Sequence, residues 1–334
     1  MLSGFRSPLA AGFLALLVSM FLTPLVRKMA FKFGAVDDPK RDDRRVHREP
    51  LPRWGGMAIY GGFLVSVLAI LPFAYPGNAV KFPLYLIGLL IMGLLVVVIG
   101  ALDDLFNYSA KIQALFLLGA AVLVQFVFDG KGRIQVSGMM WPPGSNTWIE
   151  FGFWGIILTA FYIFVVTKTM DTIDGVDGLA SGIASIAAGT IAIIAVYEGQ
   201  PRVAIIAGAL AGASLGFLRH NYNPSTIIMG TGGAQLLGFV LASLSIVGAM
   251  KTAAAVALFI PALVFGVPLA DAVQVIIRRK LSGVPITQGD KRHLHHQLLK
   301  RGLSQRQVVS VLYTVALILS GILIYLVLNH AKSS

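Results

Sequence analysis

The sequence contains no cysteine. Disulfides, Cys-ligated zinc and thiol nucleophiles are therefore excluded as sources of stability or chemistry. Charge is also scarce: 13% of residues are Asp, Glu, Lys or Arg, against about 25% in soluble globular domains. Apolar surface takes its place, since 56% of the 334 residues are hydrophobic. A hydrocarbon core about 30 Å thick needs roughly 20 apolar residues to be crossed by a helix. Runs of that kind recur along the whole length and leave no stretch for a soluble domain. The composition predicts a single all-α integral membrane bundle over residues 1–334.

Hydrophobic runs place about ten transmembrane helices, near 8–27, 54–75, 83–101, 111–128, 151–169, 179–197, 202–219, 234–249, 253–276 and 309–329. The first has only Arg6 ahead of it, Arg27-Lys28 directly behind it and no small-residue cleavage site. It reads as a retained span rather than a signal peptide. The loops 27–53 and 277–308 hold nine and eight Lys or Arg residues. With Lys111, Lys168 and Arg219 at helix ends on the same side, 20 of the 27 basic residues share one face. The positive-inside rule makes that face cytoplasmic and puts both termini outside. The net charge of +12 is thus a topological signal, and no nucleic acid partner is expected. On the outer side, alternating Arg133-Ile134-Gln135-Val136 followed by Pro142-Pro143-Gly144 predicts a small β-hairpin.

The acidic residues carry the chemical argument. Asp103 and Asp104 end the third span, Asp171, Asp174 and Asp177 follow the fifth, and Asp271 lies near the inner end of the ninth. Carboxylates at membrane depth are costly enough to be functional candidates. Adjacent carboxylates repel unless a cation neutralises them, and Mg²⁺ is commonly held by one or two carboxylates plus substrate phosphates. An acidic helix end that simply faces water is the alternative reading of Asp103-Asp104. Asp174 and Asp177, each followed by Gly, suggest a tight backbone around a ligand at a helix start, where free N–H groups attract phosphate.

The loop 277–308 adds Asp290-Lys291-Arg292-His293-Leu294-His295-His296. Cations beside histidines suit anion binding and proton movement. A zinc site lacks Cys and the helical i, i+4 spacing; a basic loop gripping lipid headgroups is the plainer alternative. Asn221 precedes a glycine cluster at Met229-Gly230-Thr231-Gly232-Gly233, which would admit phosphate oxygens. Acidic, basic and imidazole groups on one face suit phosphoryl transfer, where catalysis is largely positioning and charge neutralisation. A transporter would place charge near mid-membrane on broken helices and often shows internal repeats. Here the charge lies at the inner edge and no convincing repeat is found. A lipid-binding structural protein would not need three separated acidic and His motifs.

Five segments resemble, in order and over nearly the whole chain, the polyprenyl-phosphate N-acetylhexosamine-1-phosphate transferases. They are Arg45-Val-His47-Arg-Glu-Pro50-Leu-Pro52-Arg53-Trp-Gly55-Gly56, Ala101-Leu-Asp103-Asp104 with Ser109-Ala-Lys111, Asp174-Gly-Val-Asp177-Gly-Leu-Ala180, Asn221 with Met229-Gly230, and His293-Leu-His-His296. The resemblance implies a bacterial inner-membrane enzyme with a cytoplasmic active site. Its substrates would be a UDP-N-acetylhexosamine and undecaprenyl phosphate, and UMP would be released. Mg²⁺ would be the cofactor, with Mn²⁺ as an alternative ion. By the same resemblance Asp103 and Asp104 act near the metal and the lipid phosphate, one of them as a general base. Asp174, Asp177 and Asn221 would bind nucleotide or organise the metal. His47, Arg53, Lys111, Arg292, His293, His295 and His296 would engage substrate. The His-Leu-His-His pattern resembles the UDP-GlcNAc branch, with UDP-MurNAc-pentapeptide as the competing donor. A homodimer is left open by the sequence.

Two departures from the family pattern matter. Its Met-Gly-Asp motif, whose Asp binds Mg²⁺, reads Met229-Gly230-Thr231 here, and its Asn three residues before the first Asp of Asp-Gly-x-Asp-Gly is Asp171. The expectation is compensation, with Asp171 supplying charge that Thr231 lacks and Thr231 offering a hydroxyl. The alternative is a diverged member with altered or lost catalysis.

Overall fold

Among the described residues, eight helices are long and apolar enough to cross a membrane. The computed structural model describes residues 2–37, 50–74, 82–129, 132–140, 147–249, 266 and 294–333. The membrane-length helices are α1 (Arg6–Phe33), α2 (Gly55–Ala74), α3 (Leu84–Phe106), α5 (Phe153–Ile173), α6 (Leu179–Tyr197), α7 (Pro201–Asn221), α8 (Gly230–Ala249) and α10 (Gln305–Ser333). Between them lie α4 (Ala110–Leu123), which a 3₁₀ turn extends to Phe126, and α9 (Leu294–Lys300). Eight of the ten expected spans coincide with the membrane-length helices, and the fourth, 111–128, falls on the shorter α4. The ninth, 253–276, with Asp271, lies outside the described residues apart from Gly266. The protein is a multi-pass helical membrane protein.

Helix α8 is almost wholly buried and packs against α2, α3, α5, α6 and α7. A helix apolar all round can only be stable when surrounded in this way. Helices α1 and α10 face outward over most of their length. The most extensive helix–helix contact is between α1 and α7, where Gly208, Gly212 and Gly216 recur every four residues along α7. A Cβ at Gly212 would run into the carbonyl of Gly12, so the backbones touch through a stripe of small residues.

The expected hairpin is present: β3 (Gly138–Met140) and β4 (Trp148–Glu150) pair antiparallel, with Gly138 opposite Glu150 and Met140 opposite Trp148. The alternating segment Arg133–Val136 is not part of it. Ile134 and Gln135 are buried, and the Val136 N–H donates to Thr159 Oγ1 on α5 at 2.9 Å. That alternation reflects packing on helix ends rather than strand pairing. A second pair, β1 (Val36–Asp37) with β2 (Leu51–Pro52), was not expected and lies at the opposite end of the bundle, beside the acidic motifs.

Candidate active site

Residues 50–56 form a wedge between α3 and the entry to α8. Arg53 N–H donates to Ala35 O at 2.8 Å, Gly55 N–H to Ile228 O at 3.2 Å and Gly56 N–H to Met229 O at 2.9 Å. Trp54 adopts a left-handed φ of 81°, uncommon for a bulky residue. Its indole N–H donates to Ala101 O on α3 at 3.0 Å, which fixes the segment. Arg53 is thereby held against Asp104 three residues further along α3.

Asp104 is buried, with a relative exposure of 6%. Its Oδ1 accepts the Thr231 backbone N–H at 3.1 Å and lies 3.4 Å from an Arg53 guanidinium nitrogen. The same guanidinium is 3.2 Å from Asp37. Asp104 Oδ2 is buried with no hydrogen-bond partner among the described residues. Gly230, at φ +74°, leaves the room for it, because a Cβ there would collide with that oxygen.

Asp103 looks elsewhere. The Gln113 amide on α4 donates to both its oxygens at 3.0 Å, and the Tyr108 N–H donates to Oδ1 at 2.8 Å. Neighbouring residues on a helix point about 100° apart, so the acidic pair is divided between the α3–α4 corner and the α8 entry. That corner turns through Asn107 in the left-handed region and restarts at Ser109, whose Oγ caps α4 at the Ile112 N–H. Gln113 Oε1 in turn accepts from Lys168 Nζ at 3.3 Å. Lys168 is 2.5 Å from Asp171, which also accepts from the buried Gln235 of α8 at 3.4 Å.

Asp174 caps the C-terminus of α5. Loss of hydration pushes its carboxyl well above the usual range, and the carboxylates of Asp171, Asp177 and Asp104 add to this against the pull of Arg53. These five charged groups therefore share one electrostatic environment. Asp177 is engaged by the loop after α7: Ser225 Oγ donates at 2.8 Å, Ser225 N–H at 3.2 Å and Asn223 Nδ2 at 3.0 Å. Asn223 also bonds Gln305 and Arg306 at the start of α10. Asn221 is buried behind this loop. Its Oδ1 accepts from Gly178 N–H and Ser181 Oγ at 3.1 Å, and its Nδ2 donates to Ile227 O at 3.0 Å. Asn221 thus ties the Asp-Gly-x-Asp-Gly turn to the α8 entry.

The structure gathers Arg53, Asp104, Asp171, Asp174, Asp177 and Thr231 at one end of the bundle, with Asp103 and Asn221 bracing it. Lys111 is exposed on the first turn of α4. His47, Arg292 and His293 lie outside the described residues, as do the side chains of His295 and His296 on α9. Sequence reasoning assigned no part in the site to Asp37, Gln113, Asn223, Ser225 or Gln235, and gave Lys168 a part only in the membrane orientation. Gln235 had a signal, a buried amide in an apolar helix; the others become visible only through their partners.

Among the described residues, no group of three or more His, Asp or Glu side chains is placed to hold a metal unaided. The donor set nonetheless fits Mg²⁺, which takes one or two carboxylates and fills its octahedron with water and substrate phosphate. The partnerless Asp104 Oδ2 and the crowded carboxylates around Asp174 are such donors.

Comparison with known proteins agrees with this arrangement. A family model described as glycosyl transferase family 4 matches residues 86–249. The chain is 33% identical to the probable undecaprenyl-phosphate N-acetylglucosaminyl 1-phosphate transferase of Bacillus subtilis, over 92% of this chain and 81% of that one. It is 31% identical to the decaprenyl-phosphate N-acetylglucosaminephosphotransferase of Mycolicibacterium smegmatis, over 90% of this chain and 78% of that one. It is 28% identical to the undecaprenyl-phosphate alpha-N-acetylglucosaminyl 1-phosphate transferase of Escherichia coli, over 92% and 82%. Likeness over nine-tenths of the chain, together with an acidic, Arg-lined site at one end of a helical membrane bundle, shows that the protein belongs to glycosyl transferase family 4, among the polyprenyl-phosphate N-acetylhexosamine-1-phosphate transferases.

Proposed function

We propose that the protein transfers N-acetylglucosamine 1-phosphate from UDP-GlcNAc to undecaprenyl phosphate, at the cytoplasmic face of a bacterial inner membrane, and so starts a cell-envelope glycan. A phosphate oxygen of the lipid attacks the sugar-linked phosphorus of the donor. The bond from that phosphorus to the bridging oxygen breaks, and UMP leaves with the electron pair. A phosphate monoester is largely ionised near neutral pH, so positioning outweighs base catalysis. The names of the relatives support the acceptor and the sugar, and the clustering of Lys and Arg on the site side supports the cytoplasmic face.

The observation that carries the reading is the buried Asp104 Oδ2, without a hydrogen-bond partner among the described residues and opposite Gly230. Asp104, with Asp171 and the Thr231 hydroxyl, would hold Mg²⁺ or Mn²⁺. When bound, the ion supplies charge neutralisation for the reacting phosphates. Arg53 fixes the orientation of Asp104, and Asp103 holds the α3–α4 corner through Gln113. Asp177 and Asn221 shape the turn that presents Asp174. The Thr231 backbone N–H donates to Asp104, so replacing the family's Asp side chain does not remove that contact. That favours retained over lost catalysis.

The test is an assay of the detergent-solubilised chain with UDP-GlcNAc, undecaprenyl phosphate and Mg²⁺, following UMP and lipid-linked sugar. Turnover that disappears on chelation and in Asp104→Asn is the expected result. Turnover with a UDP-MurNAc-pentapeptide donor alone would move the assignment to that substrate. Absence of turnover with every donor, in folded protein, would overturn the reading.

A further inference from the structure

We propose that Lys168 is a phosphate-binding residue of this site, held by Asp171 and Gln113 so that its remaining N–H meets a substrate phosphate. The proposal rests on the transferase reading above.

A Lys–Asp pair one turn apart on an exposed helix contributes little and needs no further support. This pair is built into four helices. Lys168 Nζ is 2.5 Å from Asp171 and 3.3 Å from Gln113 Oε1, and Gln113 is held in turn by both oxygens of Asp103. Asp171 is contacted from the other side by Gln235. The Gln113 amide can satisfy both neighbours in one orientation only, with its NH₂ on the carboxylate and its oxygen on the ammonium. Asp103, Gln113 and Asp171 together fix where the ammonium stands.

An ammonium has three donors. Asp171 and Gln113 take two, and the third has no partner among the described residues. The side chain keeps 34% exposure, so a ligand can reach it. Asp171 belongs to the carboxylate group that surrounds Asp174, and that group would repel an incoming phosphate. Arg53, the other cation of the cluster among the described residues, stands between two carboxylates, whereas Lys168 is paired with one. Lys168 therefore retains more of its charge for an anion. The phosphate could belong to the nucleotide donor or to the lipid acceptor, and the experiment separates them.

Initial rates are measured for Lys168→Gln and Lys168→Arg, varying UDP-GlcNAc and undecaprenyl phosphate in turn, with folding checked by thermal unfolding. Gln keeps the hydrogen bonds of the network and loses the charge. It should raise one KM roughly tenfold or more, the effect of losing a charge-assisted hydrogen bond, with kcat less affected, and Arg should recover most of the loss. A raised KM for UDP-GlcNAc, with weaker calorimetric binding of UDP and unchanged binding of uridine, assigns the contact to the donor. A raised KM for the lipid alone assigns it to the acceptor. Unchanged KM values in folded Lys168→Gln, with the wild type active, overturn this proposal and leave the transferase reading intact. A wild type that neither turns over nor binds UDP overturns both. In the wild-type chain, UDP or undecaprenyl phosphate should also slow acylation of Lys168 read by mass spectrometry; unaltered labelling overturns the proposal even if the variants do not fold.

Discussion

Arg53 lies 3.4 Å from Asp104 Oδ1, and the far side of its guanidinium is 3.2 Å from Asp37. A planar fork can reach two carboxylates at once, while an ammonium is a point charge that must choose one. Arg53→Lys should therefore lower kcat/KM with UDP-GlcNAc by roughly 10- to 100-fold, the size expected for a lost charge-assisted contact, although the net charge is unchanged. Steady-state kinetics on the folded variant decides this. Wild-type rates would mean that only charge at position 53 matters.

Asp171 stands beside Gln235, one helical turn along α8 from Thr231. If it supplies the charge that Thr231 lacks, Asp171→Asn should raise the Mg²⁺ concentration for half-maximal activity by roughly tenfold, the order set by losing one charged contact. Adding Thr231→Asp to that variant should restore much of the affinity. A Mg²⁺ titration that is identical for wild type and Asp171→Asn would show that the carboxylate serves only Lys168.

Much of this site could be read from the sequence, because apolar runs of membrane length can form little except helices and the acidic motifs fall at their ends. The division of Asp103 from Asp104 was less legible. Helical geometry says that neighbours diverge, but which one meets α8 depends on where Gln113 and Thr231 come to lie. Asn221 and Asp177 read as candidate nucleotide ligands, and the hydrogen bonds they make to the protein's own turn and loop were not legible. A polar side chain near a site carries the same sequence signal whether it touches a ligand or braces the residue that does. The Arg133–Val136 alternation misled for a related reason, since burial on one side of a loop imitates a strand.

Gly212 offers a test of the bundle that does not involve chemistry. Its Cα hydrogens occupy the space where a side chain would meet the Gly12 carbonyl on α1. Backbone is the neighbour, so the contact cannot relax by a rotamer change. Gly212→Val should force α1 and α7 apart and destabilise the fold by about 1–3 kcal/mol. Thermal unfolding in detergent would show a clearly lower midpoint. Gly119→Val, where nothing lies within 4 Å, is the matched control and should not lower the midpoint.

Asp174 gives a pH-dependent prediction. Desolvation first, and then the carboxylates of Asp171, Asp177 and Asp104, raise its pKa in the folded chain against the opposing pull of Arg53. The folded state therefore holds this proton to higher pH than the unfolded state, whose carboxyl titrates near the ordinary value of about 3.9. With more protons bound in the folded form, the contribution of Asp174 to stability is fully present below that value and is lost as pH rises through the folded pKa. Asp174→Asn removes a group whose cost grows as pH rises above the ordinary carboxyl value. In the presence of a chelator, its unfolding midpoint should exceed that of the wild type by more at pH 8 than at pH 5. Asp104, Asp171 and Asp177 are coupled to this carboxyl, so the difference reports Asp174 together with its effect on them. An equal gain at the two pH values would mean that Asp174 ionises as an ordinary carboxylate and that burial alone explains the effect of the substitution.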